Sequence, residues 1–243
     1  MPDTLLRAER LLVGHAGRPL LPPLDLSVRP GEFWAVVGRN GSGKTTLFRT
    51  LLGLQPPVGG RAVWPQGRVR VAWVPQRLDL DPLYPLPVGQ VVGMGLDHGW
   101  SFLRPAGAAR VAAIRAALAE VDAESLESRL FRSLSEGQKQ RVLLARVVAS
   151  GARLVLLDEP TAAMDAVAQR DAMETLHRVR ARHGLAVLMV SHHLPLALRQ
   201  ADRVLFLDPD DAAVLVGTPE DLRAHPLFHA RYGHAAAEVC GAP

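Results

Sequence analysis

The chain has 243 residues, 48% of them hydrophobic and 21% charged, which excludes a disordered chain and leaves ample apolar surface for a core. Its net charge of +4 is a slight excess of arginine spread along the chain, since only Lys44 and Lys139 are lysines, so the basic balance predicts no nucleic-acid partner. No apolar run reaches the ~18 residues of a spanning helix, MPDTLLRAER carries no basic-then-apolar leader, and the lone Cys240 excludes an internal disulfide and a cysteine-based zinc site; the chain reads as soluble and cytoplasmic.

Short apolar runs alternate with helical patterns, which predicts α/β layers with a largely parallel sheet. The first 30 residues read as short strands and turns punctuated by Gly14, Gly17, Pro19, Pro22 and Pro23. Phe33 to Val37 reads as a buried strand that runs into GRNGSGKTT, and a helix from Lys44 to about Leu52 follows, stopped by Gly53 and Pro56. Val69 to Val74 is a further strand. From Asp79 to Gly107 proline and glycine are dense and no strand pattern survives. Val111, Ile114, Leu118 and Val121 then recur on one helical stripe. A second helix is predicted from about Glu136 to Ala149, a strand from Arg153 to Leu157, a helix from Ala166 to His183 and a strand from Ala186 to Val190. Val204 to Leu207 and Ala213 to Val216 flank the turn residues DPDD as a hairpin, and Thr218 with Pro219 starts a short helix. The stretch from about 79 to 150 is thus a mainly helical insertion between strand-rich parts.

Gly38, Gly43, Lys44 and Thr45 fill the pattern GxxxxGK(S/T), directly after a predicted strand and before a predicted helix. Backbone amides from Gly38, Arg39, Asn40, Gly41, Ser42, Gly43 and Thr46 can turn around phosphate oxygens there, and the helix N-terminus adds its positive end. Lys44 is expected to reach the β- and γ-phosphates, and the Thr45 hydroxyl to ligate Mg²⁺. Its compact ammonium fits within such a loop where a planar guanidinium would crowd it. Leu154 to Leu157 leads into Asp158 and Glu159. An aspartate at the end of a buried parallel strand lies where α/β sheets bind ligands and can hold Mg²⁺ through water. Glu159 stands beside it for general-base work on an attacking water.

With LSEGQKQR, Leu134 to Arg141, the chain resembles the ATP-binding cassette (ABC) ATPases: this string looks like their LSGGQ signature with Glu136 in place of a glycine. Ser135 followed by Gln138 is also a capping-box pattern, so the next helix offers Ser135, the Gly137 amide and a positive dipole end to an anion. The resemblance implies a P-loop NTPase core with an antiparallel β subdomain and a helical insertion. It divides the chain into a first core part at 1–78, a helical subdomain with the signature at 79–150, a second core part at 151–223 and a tail at 224–243. It further implies a head-to-tail homodimer with two composite ATP and Mg²⁺ sites. Gln76 looks like the Q-loop glutamine that contacts Mg²⁺ and water, His192 like the switch histidine at the γ-phosphate, and Asp165 like the D-loop aspartate linking the two sites. His15 occupies the place of the adenine-stacking aromatic, with a smaller π-face than the usual tyrosine.

The segment RLDLDPLYPLPVGQVVGMGL, Arg77 to Leu96, and the tail GTPEDLRAHPLF are similar to those of metal-ion importers of the zinc and manganese type. The resemblance therefore implies integral-membrane permease partners, an extracytoplasmic substrate-binding protein and a place on the cytoplasmic face of the inner membrane. Siderophore, haem and cobalamin importers have related segments and remain the alternative, with other transport and a soluble ATPase acting on nucleic acid or the ribosome behind them. His225, His229 and His234, and the alternating Arg178, Arg180 and Arg182, read as solvated surface.

Overall fold

The computed structural model describes residues 4–75, 85–97, 107–161, 164–191 and 194–237, with backbone only from 234. Along the chain run β1 (Leu6–Leu12), β2 (Gly14–His15), β3 (Arg18–Pro19), β4 (Leu24–Val28), β5 (Phe33–Gly38), α1 (Lys44–Leu52), β6 (Gly59–Val63) and β7 (Val71–Val74). The insertion contributes α2 (Val88–Gly93), α3 (Ala108–Ala119) and α4 (Glu136–Ser150). The second half adds β8 (Leu154–Asp158), α5 (Ala166–His183), β9 (Ala186–Val190), α6 (Leu194–Gln200), β10 (Arg203–Asp208), β11 (Ala213–Gly217), α7 (Pro219–Ala224) and α8 (Pro226–Ala237).

The main sheet has the order β11-β10-β5-β9-β8-β7 and is parallel except for the β10–β11 hairpin. Every residue of β5, β8 and β9 is buried, as strands covered on both faces must be. Their period of two then splits the core. Phe33, Ala35 and Val37 with Val155, Leu157, Val187 and Met189 face the helices of the insertion and α5. Trp34 and Val36 with Leu154, Leu156 and Leu188 face α1 and a second, antiparallel sheet of order β4-β1-β6. Each large apolar side chain so enclosed stabilises the fold by about 1.5–3 kcal/mol relative to exposure. The parallel core, the antiparallel subdomain and the helical insertion are the architecture the sequence predicts.

Three details differ from the sequence expectation. Ile114 and Leu118 of α3 are buried, and so is Val121 beyond its end, but Val111 in its first turn is 36% exposed, so the stripe is shorter than its spacing implies. The proline- and glycine-dense stretch contains α2, whose Val88, Val91 and Val92 are buried at helical spacing while Val88 and Gly89 donate to the carbonyls of Arg129 and Glu127. The segment expected as a tail includes α8, which buries Phe228 against Phe206 at a ring separation of 5.4 Å. His225 is accordingly half-buried rather than solvated, while His229 is exposed.

Candidate functional site

The turn from β5 into α1 permits no side chain at its first position. A Cβ on Gly38 would lie 2.4 Å from Ser42 Oγ and 2.5 Å from the Leu207 carbonyl. Gly41 and Gly43 adopt φ of 81° and 91°, left-handed conformations that cost other residues about 1–2 kcal/mol. Gly43 occupies the N-cap of α1 and offers no side-chain acceptor to its first amides. Those donors and the positive end of the helix thus face the loop, a ready anion site.

Lys44 is only 8% exposed, and its Nζ donates to the carbonyls of Gly38 and Arg39, both at 2.7 Å. Burial lowers the pKa of this ammonium, and the negative charges of Glu159 and Asp158 oppose that shift. Thr45 Oγ1 donates to Asp158 Oδ2 at 3.3 Å, so the loop and the end of β8 meet through a hydroxyl and a carboxylate. Glu159 follows with φ of 52°, its amide donating to the Val190 carbonyl at 3.0 Å. A left-handed glutamate is held against about 1–2 kcal/mol of steric cost, and here the strained residue sits at the cleft.

The cleft has a volume of about 570 Å³, with Lys44, Thr45, Thr46, Asp158 and Glu159 in its wall. His15 lines its rim from the β2–β3 hairpin, where its Nε2 lies 3.3 Å from Thr46 Oγ1. The Gln55 side chain donates to the Gly14 carbonyl and so ties this hairpin to the segment after α1. Sequence reasoning missed Leu20, which lines the cleft, and Gln55, which braces the hairpin behind His15, because neither carries a motif; only the fold gives them these places. Asn40, Gly41, Ser42 and Gly43 complete the lining, whereas the Arg39 side chain reaches Asp210 in the β10–β11 turn at 3.0 Å.

Ser135, Gly137, Gln138 and Asp165 do not line this cleft. The capping box expected from the sequence is formed: Gln138 N donates to Ser135 Oγ at 3.3 Å and Ser135 N to Gln138 Oε1 at 3.2 Å. Lys139 pairs with Glu136 at 2.7 Å. Asp165 caps α5 by accepting from Ala168 N at 2.8 Å. Gln76 and His192 lie outside the described residues. Of the arginines expected to be solvated, Arg178 pairs with Asp122, and Arg180 is partly enclosed, paired with Asp202 and bonded to the Gly31 carbonyl.

The family model described as ABC transporter matches residues 21–162. The chain is 39% identical over 241 residues to the zinc import ATP-binding protein ZnuC of Pseudomonas fluorescens (strain Pf0-1), covering 98% of this chain and 86% of that protein. It is 37% identical over 238 residues to the protein of that name from Yersinia pseudotuberculosis, covering 98% and 88%. Among solved structures, a chain from a transporter assigned to the metal-chelate ABC type, in an inward-facing conformation, superposes with a TM-score of 0.82 at 28% identity, covering 90% of this chain and 85% of that one. A family model over more than half of the chain, and relatives at 37–39% identity over nearly all of it, show that the chain belongs to the ABC transporter family as one of its ATPase cassettes.

Proposed function

We propose that this cassette hydrolyses ATP with Mg²⁺ as one of two head-to-tail copies, and that closure and reopening of the pair drive zinc import through membrane permease subunits fed by an extracytoplasmic binding protein. The observation that carries the zinc assignment is the similarity to zinc import ATP-binding proteins over 98% of the chain, insertion included. Among the described residues no helix is long and apolar enough to cross a membrane. In this reading the chain therefore sits on the cytoplasmic face of the inner membrane through its partners.

The assignment of roles follows the cleft. Lys44 exchanges its two carbonyl acceptors for phosphate oxygens, which the amides of residues 38–46 also hold. The Thr45 hydroxyl and Asp158 carboxylate, 3.3 Å apart, are the hard oxygen donors that suit Mg²⁺, and Gln76 is assigned beside them. Bound Mg²⁺ neutralises developing charge on the phosphates. Glu159 accepts the proton of the attacking water, His192 contacts the transferred phosphate, and His15 supports the base. Ser135, Gly137 and Gln138 serve the nucleotide of the second copy, with Asp165 between the sites. Their absence from the wall around Lys44 supports a site shared between two chains.

The structural likeness to a metal-chelate type transporter favours chelate import as the second reading. Reconstitution with the permease and binding subunits decides between them. Uptake and ATP turnover stimulated by free zinc are expected; stimulation by a metal chelate and not by zinc would assign the cargo to the second reading.

A further inference from the structure

The β10–β11 turn is organised by one carboxylate. Asp208 is 2% exposed; its Oδ1 accepts from the amides of Asp210 at 3.0 Å and Asp211 at 3.3 Å, and its Oδ2 from Arg231 Nε at 2.8 Å. Arg231 also reaches Asp211 at 2.7 Å. It belongs to α8, which Phe228 and Tyr232 fasten to Phe206 of β10 at 5.4 and 5.9 Å between ring centroids. Burial by itself would raise the Asp208 pKa, but the Arg231 bond and the two amides outweigh it and hold the group below its ordinary value.

The far side of this turn meets the phosphate loop. Asp210 Oδ2 accepts from Arg39 at 3.0 Å, and the carbonyl of Arg39 is one of the two that hold the Lys44 ammonium. Leu207, the residue before Asp208, is the register partner of Gly38 and fills the space where a side chain there would go. The loop is therefore gripped at its first step, sterically by β10 and electrostatically by the turn. The Arg39 and Asp210 side chains are 64% and 59% exposed, and an isolated pair of that kind contributes little. Here the turn that carries Asp210 is already fixed by Asp208 and Arg231, so less freedom is lost when Arg39 binds it.

We propose that Arg231, the Asp208–Asp211 turn and Arg39 form an ion-pair relay through which α8 positions the phosphate loop and sets its affinity for nucleotide. The inference rests on reading the cleft as the ATP site. Arg39, Asp210 and Arg231 are positioning residues in it, and no step of hydrolysis is assigned to them.

Equilibrium binding of Mg·ATP to the full chain tests the relay. Asp210→Asn and Arg231→Gln are each expected to weaken binding by about fivefold, and their combination by less than twofold more, because both cut one chain of contacts. Arg39→Lys should keep the affinity that Arg39→Gln loses, since the contact to Asp210 is a single one; loss of fold alone would not produce that rescue. Arg115→Gln, which breaks an exposed pair with Glu127 elsewhere, should stay within twofold of the wild type. Unchanged or tighter binding in Asp210→Asn, or losses that multiply to about 25-fold in the double variant, would overturn the relay while leaving the ATP site in place. Should Arg231→Gln fail to fold, Asp211→Asn, which loosens the grip of Arg231 on the turn, takes its place in the cycle with Asp210→Asn. A folded wild-type chain that binds no ATP would overturn the reading of the cleft, and the relay with it.

Discussion

Lys44 and Glu159 occupy the same cleft but are built differently, and that separates the consequences of changing them. Lys44 satisfies the carbonyls of Gly38 and Arg39 and supplies the positive charge that phosphate needs. Lys44→Ala removes both, so ATP binding measured at equilibrium should fall by about 100-fold or more. Glu159 stands at the strand end with its amide anchored to Val190. Glu159→Gln keeps the shape, so affinity should stay within a few fold while turnover falls by about 10²–10⁴. Substantial hydrolysis by this variant would remove the general-base role. The places of both side chains in one cleft were legible because their motifs follow strands the apolar runs already predict. The left-handed backbone of Glu159 was not legible, since it depends on the bond its amide finds on β9.

At the scale of elements, the parts best read from sequence are those whose apolar period persists. The α5 and β9 segments fall at the predicted residues, because long stripes and an all-apolar run leave little choice of boundary. The six residues of α2 span too few turns to show a period among prolines and glycines, and Val111 fits the α3 stripe but faces a groove at its open end. Helix α8 was hidden because its anchor lies outside its own sequence, in Phe206 and Asp208. That anchor has a pH signature. The Asp208 pKa is depressed in the folded protein, so its contribution is present above the ordinary carboxylate value near 3.9 and is lost as pH falls through the lower folded value. Asp208→Asn should therefore destabilise the chain by about 1–3 kcal/mol at neutral pH and flatten the stability curve on the acid side, measured by urea unfolding at pH 7 and below pH 4. Equal losses at both pH values would show that the carboxylate charge is not what holds α8.

At the scale of the whole molecule, the fold gathers only part of the candidate site. The resemblance anticipates this division, but its geometry was beyond sequence: nothing in LSEGQ says how far it lies from GRNGSGKTT. Ser135 tests the division because it has two separable properties. As the N-cap of α4 it needs only an oxygen acceptor for the Gln138 amide, and aspartate supplies one as well as serine does while also favouring the helix dipole. As a contact to the phosphates of a second copy, it must carry no negative charge. Ser135→Asp should thus leave thermal unfolding unchanged and leave ATP binding to the isolated chain unaltered, since Ser135 is not in the wall around Lys44. In the Glu159→Gln background, where closed pairs should accumulate with ATP, the same change should abolish the shift to doubled mass in sedimentation, and in the wild-type background it should abolish turnover. Weakened ATP binding by the isolated Ser135→Asp chain would place the signature in its own site, and an undiminished dimer would remove it from the interface; either result would sink the head-to-tail arrangement proposed for this cassette.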